Sequence, residues 1–310
     1  MNELLKCAVV GVGSLGQHHA RLYAELPDCQ LVGVMDQNPE RANEIAKRFN
    51  CKVFNDLDEI SASCDCASIV TPTDKHAQVA LPLLRKNIHL LIEKPMCFSL
   101  EESEQIIEES EKRNLVLQIG HIEHYNPVTR FLEQHVSDPM FISTQRLAPF
   151  TIRGTEVSVV LDLMIHDIGI VLQLVKSEVK SIEAIGIEVL SNTVDIANAR
   201  LYFQNGCITD ISASRISEKK VREIRVFDRA GYLSLDFMNQ TGHMLAQQDK
   251  SIRKVEIPIE KEEPLKTELI SFLKCVRTGS MPKVNARLGA RALKIALAIN
   301  AQIKNKKLEK

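Results

Sequence analysis

Three polar side chains interrupt apolar stretches of this sequence and could carry out acid–base chemistry. Lys94 ends the apolar run in IHLLIEKPMC and precedes Pro95, which restricts the lysine to extended backbone angles. Asp162 and His166 interrupt LDLMIHD, and their spacing of four places them on one face of a helix. A partly desolvated lysine can exchange protons near neutral pH, and histidine is the usual general base. These residues are therefore candidates for catalysis.

Each candidate also has a structural interpretation. Lys94 could be the solvated end of a strand, and His166 could be a core histidine with satisfied hydrogen bonds. The pairing with Asp162 favours function, because a carboxylate can orient an imidazole and stabilise its charged form. Asp167 points to another face and is interpreted as structural.

A glycine-rich motif near the N-terminus indicates a phosphate-binding loop. GVGSLG places Gly11, Gly13 and Gly16 after a strand-like run and before a helix-like segment. In that context the glycines permit a tight turn, close approach to a pyrophosphate and close helix–strand packing. Asp36 ends the second strand-like run, where a carboxylate would bind ribose hydroxyls, so NAD is favoured over NADP; Arg41 is the nearby cation that could weaken this preference.

The elements that would position these residues fall into two patterns. Strand-like and helix-like segments alternate through about residue 120, which predicts a doubly wound parallel sheet, an α/β Rossmann domain. Strand-like runs then follow one another from Val179 to Pro258, and helices are expected at 262–278 and 285–304. The second part is therefore predicted to be an α+β domain with a large, mostly antiparallel open sheet.

Composition limits the classes of partner. The 310 residues carry 39 Lys and Arg against 40 Asp and Glu, a net charge of −1. This balance argues against nucleic-acid or membrane binding, both of which favour a basic surface. No signal peptide or membrane span is expected, and the eight cysteines are interpreted as reduced thiols of a cytoplasmic protein without a metal site.

The chain resembles the glucose–fructose oxidoreductase/inositol dehydrogenase (Gfo/Idh/MocA) family in GVGSLGQHHA, VTPTDKHA, EKP and LDLMIHD. The resemblance implies an NAD-binding Rossmann domain over 1–121 and a substrate-binding and oligomerisation domain over 122–310, assembled as a homodimer or homotetramer. It implies that Lys94 and His166 are the acid–base residues and that Asp162 positions the substrate or the histidine. The implied cofactor contacts are Gly11, Gly13, Ser14, Leu15, Gly16, Asp36, Gln37, Thr71, Pro72, His76, Glu93, Lys94 and Gln118. The implied substrate contacts are His121, His124, Asn126, Arg153, Asp162 and His166. Gly169 departs from the family, because many members have an aspartate there.

GHIEHYNP, APFTIRGTEVSVVLDLMIHD and DIANARLYFQNGCITDISASR are similar to the branch that contains UDP-N-acetylglucosamine 3-dehydrogenases. This branch implies oxidation of the sugar 3-hydroxyl to a ketone in the biosynthesis of lipid A or other glycans. A diphosphate needs cations, and the candidates are Arg146, Arg153, Arg215 and Lys219. Taken individually, each is more typical of a solvated surface residue. The alternatives are a dehydrogenase of a free sugar, inositol or another polyol, and a non-catalytic NAD-binding sensor.

Overall fold

The computed structural model describes residues 3–151, 154–229, 231–248 and 251–308. These residues form two compact units. Unit 1 contains the described residues through Ile122 together with Leu265–Ala290, and unit 2 contains Glu123–Pro264 and the described residues from Arg291 onward.

Unit 1 is built on a six-stranded parallel sheet in the order β3-β2-β1-β4-β5-β6. Its strands are β1 (Leu5–Val10), β2 (Cys29–Met35), β3 (Lys52–Val53), β4 (Cys66–Ile69), β5 (His89–Glu93) and β6 (Leu117–Gly120). This is the strand order of doubly wound dinucleotide-binding domains, whose ligands bind beyond the carboxyl ends of the strands. The predicted Rossmann fold is therefore confirmed.

Helices alternate with these strands: α1 (Gly16–Glu25), α2 (Pro39–Phe49), α3 (Leu57–Ser63), α4 (His76–Arg85) and α5 (Leu100–Lys112). Local sequence sets where several of them begin. Asn38 caps α2 by accepting hydrogen bonds from two backbone N–H groups, and Ser99 caps α5 by accepting one from Glu102. These side chains satisfy N–H groups that have no partner within the helix.

Unit 2 contains an eight-stranded sheet in the order β14-β13-β12-β11-β7-β10-β9-β8. Its strands are β7 (Pro139–Leu147), β8 (Val179–Ile187), β9 (Ile196–Phe203), β10 (Ile208–Ser214), β11 (Val221–Asp228), β12 (Gly231–Asp236), β13 (Thr241–Gln248) and β14 (Ser251–Glu256). Neighbouring strands are antiparallel except β7 and β10, which run parallel. The mostly antiparallel open sheet predicted from the sequence is confirmed.

The remaining helices are α6 (Pro127–His135), α7 (Ile165–Val175), α8 (Pro264–Thr278) and α9 (Ala286–Leu308). A π-helical turn over Val160–Met164 leads directly into α7. Residues of α7 are buried around most of its circumference, as its apolar sequence predicts. The π turn was not predicted, and such turns are often found at functional sites.

Helix α8 gives unit 1 a part of its core that is distant in sequence. Leu269 and Phe272 pack in one buried cluster with Val9 and Tyr23. Because this apolar face completes the core of the parallel sheet, residues 265–290 belong to unit 1 rather than to the second domain predicted over 122–310.

No helix in the described part of the chain is long and apolar enough to cross a membrane. All eight cysteines have free thiols. Burial raises the pKa of the Cys64 and Cys97 thiols to about 12, so both stay protonated at neutral pH. The cytoplasmic location remains a prediction.

Candidate active site

The loop between β1 and α1 is compact at two glycines and open at the third. Gly11 has a φ of +87°, and a Cβ there would lie 2.7 Å from the backbone of Val70. A Cβ on Gly16 would lie 1.8 Å from the carbonyl oxygen of Gly11. Among the described residues, nothing lies within 4 Å of the Cβ position of Gly13. The open side at Gly13 leaves room for a pyrophosphate against the backbone.

Helix α1 presents its N-terminus to this loop. Leu15 occupies the N-cap position, where no described side chain caps the helix, and Ser14 and Leu15 are both exposed. An uncapped N-terminus offers N–H groups and the positive end of the helix dipole to an anion. The geometry therefore fits the phosphates of a dinucleotide.

Asp36 is fixed beside the glycine loop by backbone hydrogen bonds. Its Oδ2 accepts a hydrogen bond from Val12 N at 2.7 Å, and its Oδ1 accepts one from Asn38 N at 2.9 Å. Each carboxylate oxygen has a second lone pair, so the side chain can also accept hydrogen bonds from ribose hydroxyls. The neighbouring Gln37 is exposed.

The loop after β4 provides a hydroxyl but no imidazole for a ligand. Thr71 Oγ1 is buried and has no hydrogen-bond partner within the described residues, and the adjacent Pro72 is exposed. His76 is only 1% exposed, and its ring nitrogens lie against the carbonyl oxygens of Thr71 and Pro95. The prediction that His76 binds the cofactor directly does not fit this geometry.

Glu93 and Lys94 lie at the carboxyl end of β5. Glu93 Oε1 lies 3.2 Å from His19 Nε2, and Glu93 Oε2 accepts a hydrogen bond from Lys94 N at 3.2 Å. Lys94 is half-buried and precedes a cis peptide bond to Pro95. A Cβ on Gly120 would lie 2.8 Å from the Glu93 carboxyl carbon, so a larger residue on the neighbouring strand would require the carboxylate to move.

A second carboxyl group of unit 1 is buried without compensation. Gln118 Nε2 donates to the carbonyl oxygen of Glu268 at 3.3 Å, and both side chains are fully buried. Neither carboxylate oxygen of Glu268 has a hydrogen-bond partner among the described residues, nor does Gln118 Oε1. Burial and then the charge of Glu93 raise the pKa of Glu268 well above its ordinary value. Nearby in sequence, His121 is 1% exposed.

In unit 2, the two predicted site residues lie on one continuous helical segment. Asp162 is half-buried on the π-helical turn, and His166 is buried in the first turn of α7. Gly154 has a φ of +82°, and a Cβ there would lie 3.2 Å from Asp162 Oδ2. The loop containing Gly154 therefore passes directly beside the carboxylate.

Asp167 anchors a buried ion-pair network, in agreement with its structural interpretation. It accepts two hydrogen bonds from Arg146, at 3.0 and 2.7 Å. Arg146 also donates to Glu123 Oε1 at 2.8 Å, and Arg222 donates to the same oxygen at 3.1 Å. Burial opposes ionisation of Glu123, yet the two arginines hold its pKa below its ordinary value. Arg146 is therefore not the available diphosphate ligand that was predicted.

Two predicted sugar contacts have structural partners in unit 2. Asn126 caps α6 by accepting a hydrogen bond from Val128 N at 3.0 Å, and it donates to the carbonyl oxygen of Phe237 at 3.0 Å. His124 is 1% exposed, and its Nδ1 hydrogen-bonds Gln173 Oε1. These contacts occupy Asn126 and Nδ1 of His124 within the unit, and a role of either residue in binding the sugar stays a prediction.

Arg215 also binds the protein itself. Its guanidinium donates to the carbonyl oxygens of Gly154 and Val157, each at 2.6 Å, and so holds the loop beside Asp162. Among the other predicted cations, Lys219 is exposed and Arg153 lies outside the described residues. Gly169, the departure from the family pattern, is buried in α7.

Sequence reasoning missed Glu268, Gly154 and the role of Arg215. The sequence offers a weak signal for Glu268, an acid within the apolar face of a predicted helix. It offers none for Arg215, since the tie to Gly154 exists only after folding.

Comparison with known proteins extends over both units. The profile of an oxidoreductase family with an NAD-binding Rossmann fold, GFO/IDH/MocA, matches residues 5–121, and the C-terminal domain profile of that family matches residues 132–234. UDP-N-acetylglucosamine 3-dehydrogenase from Acidithiobacillus ferrooxidans is 34% identical over 306 residues, covering 96% of this chain and 97% of the relative. The NAD(+)-dependent scyllo-inositol 2-dehydrogenase from Bacillus subtilis is 26% identical over 329 residues, covering 98% of this chain and 96% of the relative.

Solved structures agree with these sequence matches. A structure of the Acidithiobacillus ferrooxidans enzyme superimposes with a TM-score of 0.94, covering 98% of this chain and 99% of the other. A levoglucosan dehydrogenase solved with NADH and levoglucosan shares the fold, with a TM-score of 0.87 at 18% identity and coverage of 98% of each chain. The chain belongs to the GFO/IDH/MocA family of oxidoreductases with an NAD-binding Rossmann fold.

Proposed function

We propose that this protein oxidises the 3-hydroxyl of UDP-N-acetylglucosamine to a ketone with NAD as the hydride acceptor, as a step of amino-sugar biosynthesis for lipid A or another glycan. The observation that carries this proposal is the similarity of nearly the whole chain to a UDP-N-acetylglucosamine 3-dehydrogenase. The reaction balances as alcohol plus NAD⁺ giving ketone, NADH and one proton. The residues that manage this proton are therefore central to the proposal.

The preference for NAD over NADP rests on Asp36 and Arg41. A carboxylate beside the adenosine ribose repels a 2′-phosphate, whereas its oxygens accept hydrogen bonds from the two hydroxyls of NAD. Arg41 is already engaged, because its Nε donates to Val12 O at 2.9 Å and its Nη1 donates to Glu44 Oε2 at 2.7 Å. Two nitrogens of this nearby cation are therefore already engaged within the protein, which disfavours its use as a 2′-phosphate ligand.

Lys94 and His166 are the proposed acid–base residues. When bound, NAD supplies a nicotinamide ring that accepts a hydride from the carbon bearing the hydroxyl. His166, or Lys94 coupled to it, accepts the hydroxyl proton, and the lysine ammonium stabilises the negative charge that develops on oxygen. Asp162 lies four residues before His166 and orients the imidazole or the sugar.

The test is a substrate panel with the purified protein. NADH formation is followed by absorbance with UDP-N-acetylglucosamine, free N-acetylglucosamine, scyllo-inositol and myo-inositol. We expect turnover with the nucleotide sugar at a kcat/KM at least about tenfold above the others, because one lost polar recognition element costs about 1.4 kcal/mol or more. Reduction of the product with borodeuteride should place deuterium at C3.

The alternatives predict different outcomes in the same panel. Preferential oxidation of an inositol would replace the proposed substrate, and the scyllo-inositol relative makes this the second candidate. No NADH from any substrate, with NAD still bound, would favour the non-catalytic sensor.

We further propose that the chain forms a homodimer or homotetramer. Ile185, Ile187 and Ile196 are exposed on neighbouring strands of the eight-stranded sheet, where Ile187 and Ile196 are register partners. Exposed apolar residues that lie together favour association. Light scattering after size exclusion measures the mass directly, and a monomer at micromolar concentration would contradict this proposal.

A further inference from the structure

The imidazole of His76 joins two loops that each belong to the proposed catalytic apparatus. Its Nε2 lies 2.9 Å from the carbonyl oxygen of Thr71, in the loop after β4. Its Nδ1 lies 3.1 Å from the carbonyl oxygen of Pro95 and 3.2 Å from that of Met96. These two residues directly follow Lys94, so one ring contacts both the threonine loop and the lysine turn.

The environment of the ring rules out direct contact with a ligand. His76 is 1% exposed, and both of its nitrogens face backbone oxygens of unit 1. A neutral imidazole has one N–H group, so in either tautomer it donates to one of the two loops, and the protonated ring donates to both. Burial lowers the pKa of His76, although the surrounding carbonyl groups oppose this effect.

The position of His76 in the fold makes the tie rigid. His76 is the first residue of α4, so its backbone is fixed by the helix and by the 3₁₀ turn at Thr73–Lys75 that precedes it. The ring therefore connects one end of a helix to the ends of two adjacent parallel strands, β4 and β5. In the Nδ1–H tautomer, loss of the ring would leave the carbonyl oxygens of Pro95 and Met96 without this donor, and in the Nε2–H tautomer it would leave that of Thr71 without one.

We propose that His76 is a positioning residue that holds the Lys94–Pro95–Met96 turn against the Thr71 loop and thereby fixes the direction of the Lys94 side chain. This inference rests on the acid–base role proposed for Lys94. The ring touches neither substrate nor cofactor, and it acts through the backbone on either side of it. An error of about 1 Å in the position of a reacting group can lower a rate about 100-fold.

The test compares two substitutions at His76 with one matched control. His76→Phe keeps an aromatic ring but removes both nitrogens, whereas His76→Gln keeps a side-chain N–H donor. The control is His89→Asn, because His89 lies at the opposite end of β5 and its Nδ1 accepts a hydrogen bond from Val116 N at 2.9 Å. Each of the three variants removes an imidazole that contacts the backbone: that of His76 beyond the carboxyl end of β5, or that of His89 at the start of β5.

We expect His76→Phe to lower kcat about 100-fold while KM for UDP-N-acetylglucosamine changes less than about threefold. We expect His76→Gln to recover at least about tenfold of that loss, and His89→Asn to keep kcat within about twofold of the wild type. A kcat of His76→Phe within threefold of the wild type would overturn the proposal. So would equal kcat losses in His76→Phe and His89→Asn. If the phenylalanine variant does not fold, His76→Ala takes its place with the same expected loss of kcat, and a kcat within threefold of the wild type would overturn the proposal.

Amide hydrogen exchange of the substrate-free protein separates this proposal from the proposed function. Peptides spanning residues 70–75 and 93–98 should exchange faster in His76→Phe than in the wild type, and unchanged exchange in both would overturn the tie. If Lys94→Ala retains wild-type turnover, the acid–base assignment fails, yet the exchange measurement still reports whether His76 holds the two loops.

Discussion

Unit 1 and unit 2 both bury carboxyl groups, but they surround them in opposite ways. In unit 2, Asp167 and Glu123 share the guanidinium of Arg146, and Arg222 adds a second cation. In unit 1, Glu268 is fully buried without a hydrogen-bond partner among the described residues, and the charged group acting on it is another acid, Glu93. The first arrangement gives each carboxyl group a guanidinium partner that fixes it in place, although burial still raises the pKa of Asp167. The second favours a carboxyl group that keeps its proton.

The two units also each contain one proposed acid–base residue, Lys94 in unit 1 and His166 in unit 2. We expect Lys94→Ala and His166→Ala each to lower kcat by about 10² to 10⁴, the usual effect of losing a general acid or base. The affinity for NAD should stay within about threefold, since the glycine loop and Asp36 are untouched. Steady-state kinetics and NAD titration measure both effects.

The controls for these variants are Lys112→Ala in unit 1 and His135→Ala in unit 2, both at exposed positions. Wild-type turnover in Lys94→Ala or His166→Ala would remove that residue from the mechanism. A profile in which only one variant loses the basic or acidic limb of the pH–rate curve would identify the proton acceptor.

Breaking the buried ion-pair network around Arg146 in unit 2 should lower the free energy of unfolding more than breaking an exposed ion pair. Arg146→Met leaves Asp167 without its main partner and Glu123 with Arg222 as its remaining cation, so we expect a loss of about 3–5 kcal/mol in the free energy of unfolding. Urea unfolding monitored by circular dichroism measures it. Arg200→Met is the matched control, because Arg200 binds Asp210 through two hydrogen bonds of 2.6 and 2.7 Å but is exposed. Loss of that exposed pair should lower the free energy of unfolding much less than loss of Arg146, because solvent screens it, and equal losses would contradict the comparison.

The uncompensated acid of unit 1 should show itself in the pH dependence of stability. Because the pKa of Glu268 is raised in the folded state, the folded chain retains a proton that the unfolded chain releases near pH 4.3. The stability from this group is fully present below that pH and is lost as the pH rises through the folded-state value. Glu268→Gln cannot ionise, so we expect it to be more stable than the wild type at pH 8 by about 1–3 kcal/mol.

Thermal unfolding between pH 5 and 8 measures this difference, with Glu108→Gln as the control at an exposed position of α5. A constant difference between Glu268→Gln and the wild type across this range would show that Glu268 does not titrate there. The contrast between the two units would then lose its electrostatic basis.

We expect the smallest effect at Asp36, a carboxylate whose hydrogen-bond donors among the described residues are two backbone N–H groups. Asp36→Ser removes the charge beside the ribose but keeps a hydroxyl, and we expect the ratio of kcat/KM for NAD over NADP to fall about tenfold, or about 1.4 kcal/mol. Glu40→Ser removes a nearby exposed charge from the first turn of α2 and should leave the ratio unchanged. Equal effects of the two substitutions would attribute the preference to general charge rather than to contact with the ribose.

The sequence was most informative where function depends on local backbone geometry. The spacing of Gly11, Gly13 and Gly16 predicted the strand–turn–helix loop, because glycine is the residue that such a turn requires. The alternation of strands and helices predicted the parallel sheet, and uninterrupted strand-like runs predicted the open antiparallel one.

The sequence was least informative where the partners of a polar side chain are distant along the chain. Arg146 was one of four candidate cations for a diphosphate, but it is bound by carboxylates that lie 21 and 23 residues away along the chain. His76 was interpreted as a cofactor contact, although its ring contacts the carbonyl oxygen of Pro95, 19 residues later in the chain. A sequence shows that such a side chain is polar, whereas the fold determines what its polar atoms contact.

Helix α8 follows most of unit 2 in sequence but packs in the core of unit 1, and this order has a consequence for folding during synthesis. The ribosome produces the six strands of the parallel sheet first, yet Leu269 and Phe272 of its core arrive only after the whole eight-stranded sheet has been made. The nascent dinucleotide-binding unit must therefore wait with apolar surface exposed while unit 2 emerges, which is the period when aggregation and chaperone binding are favoured. A chain released before α8 would contain every glycine of the phosphate loop and still lack the packing that makes the loop a binding site.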